Sequence, residues 1–213
     1  DVDSGAILGE KITLPTPRPA TPQAMAGQVA RIVKHFEWTG LLGCGFPAAV
    51  RHGVAYTAAN IDPSCKGADI GAHFREATGL EDILVLNDAD AAGIAEMAFG
   101  SGKNHHGSVM ILTAGTGIGS ALFREGILFP NTELGHLPFR GKDAEDFASG
   151  AAFTREGLTY AHWAERFNEY LELLEKLFWP DLFIIGGGMS QNFDDFAHLL
   201  KVKAPVRPAG MHN

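Results

Sequence analysis

Cysteine is almost missing from this chain: Cys44 and Cys65 are the only two in 213 residues, and they form no CxxC pair. That excludes a disulfide framework and a cysteine zinc site, and makes a reducing cytoplasm the expected home. Long apolar runs are missing too. With no stretch of about 18 apolar residues and no basic-then-apolar opening, neither a membrane span nor a leader is expected. Positive charge is scarce, 17 basic against 25 acidic residues for a formal net charge of -8. This argues against a general nucleic-acid or anionic-membrane partner, so a polyanionic ligand would need a local basic groove. What remains, 46% hydrophobic and 20% charged residues, suffices to bury a full core as one large or two small domains.

The most informative stretch is Val109 to Phe123, VMILTAGTGIGSALF. An apolar run enters Thr113, Gly115, Thr116, Gly117 and Gly119, and Ala121, Leu122 and Phe123 resume the apolar path. A buried strand, a tight glycine turn and a returning strand fit this best. Glycines at such a turn let backbone N–H groups approach an anion, because no Cβ intervenes and positive φ is accessible. The plainer reading is a glycine-rich hairpin. A dinucleotide-binding fingerprint fits poorly, since it needs a helix after the glycines, and this disfavours a nicotinamide-dependent oxidoreductase.

Ahead of that stretch, Asp1 to Glu10 reads as the second strand of a hairpin whose first strand is not in the chain, so the start is expected to be truncated. Leu14 to Pro22 carries too many prolines for anything but an extended connection. Thr21 caps a helix with Pro22 in its first turn, and Met25, Val29, Ile32, Val33 and Phe36 give it an apolar stripe. Leu41 to Phe46 reads as a short buried strand. Asn60, in TAANIDP, can face a polar ligand or simply serve a turn. A helix is expected over Ile70 to Thr78, closed by Gly79. Ile83 to Leu86 is an apolar run ending in Asn87-Asp88 ahead of a helix-favouring segment. An acid at that strand tip sits where α/β proteins place ligands, although Asn87, Asp88 or Asp90 could equally cap the helix. With two acids available, Asp90 can cap while Asp88 does chemistry.

The polar segment Gly100 to Gly107 is a natural boundary between two halves, 1–104 and 105–213, with His105 and His106 in a solvated loop. Glu133 and His136 have the i, i+3 spacing of a shared helical face, but Gly135 and the flanking prolines oppose a helix. A loop offering a carboxylate and an imidazole can instead hydrogen-bond adjacent hydroxyls of a sugar. Glu145 could add an acceptor or be an ordinary exposed charge. His162 to Phe178 is the clearest helix, with Trp163, Phe167, Tyr170, Leu171, Leu174 and Phe178 as its buried stripe. Trp179-Pro180 stops it. A buried strand then delivers Gly186, Gly187 and Gly188, again a place for close backbone approach to a ligand.

Taken in order, LNDADAAGIAE, LTAGTGIGSALF, PNTELGHL, AEDFAS and LFIIGGGMS resemble the ROK family of sugar kinases. TPRPATP, GFPAAVRHGV and TAANIDPS resemble more narrowly the polyphosphate-using glucokinases within it. The resemblance implies an α/β fold of the actin and hexokinase type (ribonuclease H-like), two α/β lobes around a cleft. It also implies a first phosphate hairpin before Asp1 and a helix after Asn213, so both termini are expected to be truncated. It assigns Asp88 as general base toward a sugar 6-hydroxyl, and Asn60, Asn87, Glu133, His136 and Glu145 to the sugar. Thr113, Gly115, Thr116 and Gly117 fall to the transferred phosphoryl group, and Gly186, Gly187 and Gly188 to the nucleotide or polyphosphate. The implied reaction is phosphoryl transfer from inorganic polyphosphate, possibly ATP, to glucose. Mg²⁺ would be carried mainly by substrate phosphates, with no zinc and no protein metal site, in a cytoplasmic homodimer. Lys103, Arg124, Lys142, Lys201 and Lys203 are candidate contacts for a polyanion. Ala114, where close relatives usually carry Phe, Cys65, where Trp is usual, and Gly150 to Phe153 depart from the pattern. The alternatives are a non-catalytic sugar-sensing ROK-type protein and an inactive truncated kinase.

Overall fold

The computed structural model describes residues 1–211 and forms two compact units, Asp1–Ala91 and the chain from Ala92 onward. The truncation expected at Asn213 lies outside the described residues.

In the first unit the opening segment is not a strand. Asp1 gathers it into turns, its carboxylate accepting from the N–H of Asp3 and Ser4 at 3.0 and 2.8 Å, and it finds no ladder partner among the described residues. Helix α1 (Pro22–His35) starts as its sequence dictates, with Thr21 Oγ1 accepting from Ala24 N–H at 3.2 Å and Pro22 in the first turn. Ala26 and Val33 are its buried residues beside Pro22. Phe36, expected in the apolar stripe, is 42% exposed, because the helix ends at His35 and its period no longer aims that side chain. Strands β1 (Leu42–Phe46), β2 (Val50–Arg51) and β3 (Val54–Ala55) follow, then α2 (Ile70–Thr78), which Asp69 caps and Gly79 closes at φ 74°. Strand β4 (Ile83–Asn87) lies parallel to β1, with Phe46 opposite Asn87 at the tips. Phe46, Ile70, Phe74 and Val85 make the small core.

Helix α3 (Asp88–Ala98) leads into the second unit, where β5 (Ser108–Ala114), β6 (Ile118–Arg124) and β7 (Ile127–Phe129) form an antiparallel meander. A small hairpin, β8 (Pro138–Phe139) and β9 (Lys142–Asp143), precedes α4 (Ala144–Ala148), α5 (Gly150–Glu156) and α6 (Tyr160–Phe178). Strand β10 (Leu182–Gly186) runs parallel to β5, and β11 (Val206–Pro208), where no closing strand is expected from sequence, runs parallel to β10. The five-stranded order is β11-β10-β5-β6-β7.

Alternation divides that sheet cleanly. Met110, Leu112, Phe183 and Ile185 join the α6 residues Trp163, Phe167, Tyr170, Leu171 and Leu174 in one core. Val109, Ile111, Ala121, Phe123, Leu182 and Ile184 make the other, with Met97 of α3 packed on it. Gly93 permits this approach, since a Cβ there would overlap Ala121 and Phe123. Phe178, the last residue of α6, stays 37% exposed rather than joining the stripe. The polar segment 100–107 lies inside this unit, where the Glu96 carboxylate accepts from the N–H of Ser101, Gly210 and Met211 at 2.9, 3.0 and 2.6 Å. Among the described residues no helix is long and apolar enough to cross a membrane.

Candidate functional site

The turn between β5 and β6 closes on three residues. Ala114 pairs with Ile118, and Gly115 N–H donates to Gly117 C=O at 3.0 Å. Neither Gly115 nor Gly117 has a left-handed φ, so the need for glycine here is spatial, not conformational. A Cβ on Gly115 would point into open space, leaving the backbone bare to a ligand. One on Gly117 would overlap the carboxylate of Glu145. The carbonyl of Gly115 accepts from Ala151 N–H at 2.9 Å, anchoring the turn to the first turn of α5. Among the described residues, the N–H groups of exposed Thr116 and of Gly117 have no protein acceptor, so they remain for an anion. Thr113 stands beside this turn, paired with Gly119 and Gly186.

Glu145 is not an ordinary surface charge. From α4 it accepts the N–H of Ile118 on Oε2 at 3.0 Å, while Oε1 lies 3.9 Å from His136 Nδ1. Gly135 makes room for the arrangement, since a Cβ there would overlap the Ile118 carbonyl and crowd Glu145. His136 sits in a single 3-10 turn, Leu134–His136, rather than a longer helix. Its Nε2 is 3.9 Å from Glu133 Oε2, and its Nδ1 is 2.8 Å from Asp143 Oδ2. Burial alone would lower the imidazole pKa, but the Asp143 hydrogen bond and the charges of Glu145, Glu133 and Asp143 outweigh it and raise it. Beneath, Tyr170 is fully buried with its hydroxyl unpaired, and burial together with the Glu145 charge pushes that phenol well above its ordinary range.

Ser120 holds the loop that carries these groups. Its Oγ donates to the Thr132 carbonyl at 2.5 Å and accepts from Leu134 N–H at 3.0 Å, while Thr132 Oγ1 donates back to the Ser120 carbonyl at 2.9 Å. At the tip of β10, Gly187 has φ 75°, and a Cβ there would overlap the backbone of Ala114. That glycine lets the triple-glycine turn sit against the end of β5. Gly188 faces open space, and Gly186 meets only ordinary contacts.

In the first unit Asp88 is the first residue of α3, immediately beyond the tip of β4. Of the three residues that could cap this helix, neither Asp88 nor Asp90 does so. Asn87 caps it, accepting Asp90 N–H on Oδ1 at 3.0 Å and donating from Nδ2 to the Ala48 carbonyl at 3.1 Å. The exposed Asp88 carboxylate accepts local backbone N–H groups, that of Ala89 at 2.9 Å and its own. Gly45 of β1 packs closely beside it, a Cβ there falling 3.3 Å from Asp88 Cα. Partial desolvation raises the Asp88 pKa above its ordinary value, against the lowering by the local N–H. Asn60 lies exposed in a bend.

The structure thus brings Glu133, His136 and Glu145 together with the glycine turn, and keeps Asn87 beside Asp88. Asp143 and Ser120 escape the sequence reading. The signal for Asp143 was the two-residue Arg140-Gly141 turn, both residues at positive φ (51° and 81°), which folds β9 back on β8 and returns Asp143 opposite Pro138. Of the candidate cations, Lys142 donates to the Asp146 carbonyl at 3.2 Å and Arg124 to Ser108 Oγ at 3.0 Å.

The sequence profile of the ROK family matches residues 2–159. The chain belongs to the ROK family. It is 46% identical over 213 residues to a polyphosphate glucokinase of Mycobacterium tuberculosis, covering 100% of this chain and 80% of that protein. It superposes on the inorganic polyphosphate/ATP-glucomannokinase of Arthrobacter sp. strain KM with a TM-score of 0.95 at 41% identity, covering 100% of this chain and 87% of the other. A ROK family glucokinase from Streptomyces griseus, solved with glucose and AMPPNP, shares the fold at TM-score 0.81 and 22% identity, over 98% of this chain and 88% of that one. The α/β architecture is therefore that of the ROK sugar kinases.

Proposed function

We propose that this ROK chain is a glucokinase that moves a phosphoryl group from inorganic polyphosphate, and also from ATP, to the 6-hydroxyl of glucose. The observation that carries the reading is a glycine turn with bare amides tied through one carboxylate, Glu145, to a His136–Glu133 pair suited to vicinal hydroxyls. The 46% identity to a polyphosphate glucokinase supports the donor assignment.

In this mechanism Asp88 accepts the proton of the 6-hydroxyl as O6 bonds to the terminal phosphorus. The bond from that phosphorus to the bridging oxygen breaks, releasing polyphosphate one unit shorter, or ADP. Glu133, His136, Glu145, Asn60 and Asn87 serve the sugar side. Thr113, Gly115, Thr116 and Gly117 cradle the migrating group, and Gly186, Gly187 and Gly188 line the path of the donor. Such a transfer needs positioning and charge neutralisation more than covalent help from the protein. Mg²⁺ would be held mainly by the donor phosphates and water, as it commonly is in phosphoryl-transfer sites. When bound, that ion would neutralise phosphate charge. The reading extends to a cytoplasmic homodimer, which sedimentation equilibrium measures.

The test is a coupled assay for glucose 6-phosphate with glucose, Mg²⁺ and either polyphosphate or ATP. Product with polyphosphate supports the reading. Sugar binding without product from either donor identifies a non-catalytic sugar sensor instead.

A further inference from the structure

Asp143 occupies the N-cap position of α4 with extended backbone, φ −66° and ψ 144°, yet its side chain makes no capping hydrogen bond. Asp is among the preferred residues for such a bond. The carboxylate turns instead to His136 Nδ1 at 2.8 Å, delivered there by the tight β8–β9 hairpin. A carboxylate at Nδ1 fixes a proton on that nitrogen and leaves Nε2 to face outward. Nε2 then lies 3.9 Å from Glu133 Oε2. That gap is too long for a direct hydrogen bond, but one hydroxyl oxygen at about 2.8 Å from each would span it.

We propose that Asp143 is a positioning residue for the acceptor sugar: it orients His136 so that Nε2–H donates to a sugar hydroxyl whose own proton goes to Glu133. This rests on the glucokinase reading and adds a residue to it. The charged groups facing His136 are Asp143 from β9, Glu145 from α4 and Glu133 from its own loop. Together they favour the imidazolium that such a donation requires, and its raised pKa agrees. Removing Asp143 withdraws both the orientation and part of the charge.

The experiment compares wild type, Asp143→Ala and Asp143→Asn in the full chain by imidazole ¹⁵N NMR titration, by glucose calorimetry and by separate KM values for glucose and donor. In wild type, Nδ1 is protonated throughout and His136 titrates above an ordinary histidine. In D143A the ring titrates lower and populates both tautomers. Glucose KM rises roughly tenfold, the size of one lost charge-assisted bond, while kcat and donor KM move less than about twofold. D143N keeps an acceptor for Nδ1–H without the charge, so it falls between the two. An unchanged titration and glucose KM in D143A overturns the proposal, as does a loss shared equally by kcat, donor KM and glucose KM. If wild type phosphorylates nothing, the glucokinase reading fails, and the titration and calorimetry still decide whether Asp143 governs His136 and sugar affinity.

Discussion

At the scale of the residue, Asp88 is defined as much by what relieves it as by where it stands. Asn87 takes the capping duty that an Asp at the head of a helix would normally carry, accepting Asp90 N–H at 3.0 Å, so the adjacent carboxylate is relieved of that bond. Replacing Asp88 with Ala is expected to lower kcat by about 10²–10⁴-fold, the usual worth of a positioned general base. Glucose affinity measured by calorimetry should change far less, and a variant with near-normal turnover would refute the role. The pH dependence follows with a definite sign. A base must be ionised to accept a proton, and desolvation raises the Asp88 pKa. The acid limb of kcat/KM should therefore fall off at a pH above the ordinary aspartate value of about 3.9, and that limb should vanish from the residual activity of D88A.

Secondary structure obeys rules that the sequence states openly, and side-chain partnerships do not. Helix α2 was legible over Ile70 to Thr78 because Gly79 is a stop by its own chemistry. The β5–β6 hairpin was legible because glycines interrupt two apolar runs. The Asp143–His136 contact and the reach of Glu145 to Ile118 N–H were not, since each joins residues whose nearness is created by folding. The same limit applied to Phe36 and Phe178, where periodicity continued but the helix or its cover did not.

Two substitutions test the element-scale argument. Gly135→Ala would drive a methyl into the Ile118 carbonyl, displacing the 3-10 turn with His136 on it. It should cost about 1–3 kcal/mol, as overpacking does, and calorimetric unfolding measures it. Trp179 closes α6 at φ 49° with 75% of its surface exposed, so little packing opposes the strain of a left-handed non-glycine residue. Trp179→Gly is expected to stabilise the chain by up to about 1 kcal/mol, read as a rise in urea midpoint.

At the scale of the whole molecule, the architecture was readable through the order of five motifs, which follow one another as in a ROK kinase. The break between the two units falls inside α3, a continuous helix, while the polar glycine-rich segment that looked like a boundary is bound into the second unit through Glu96 and Ser101.

Glu145 has one oxygen on the Ile118 amide of the glycine turn and the other 3.9 Å from the His136 imidazole, the groups proposed above to hold phosphate and hexose. Occupying either subsite therefore stiffens the same carboxylate, and thermodynamic linkage requires the benefit to be mutual. Saturating glucose should tighten polyphosphate binding by some factor, and saturating polyphosphate should tighten glucose by that same factor. In Glu145→Gln, titration of each ligand with and without the other should show this synergy collapsing toward unity, because a neutral amide transmits little of one ligand's arrival to the other.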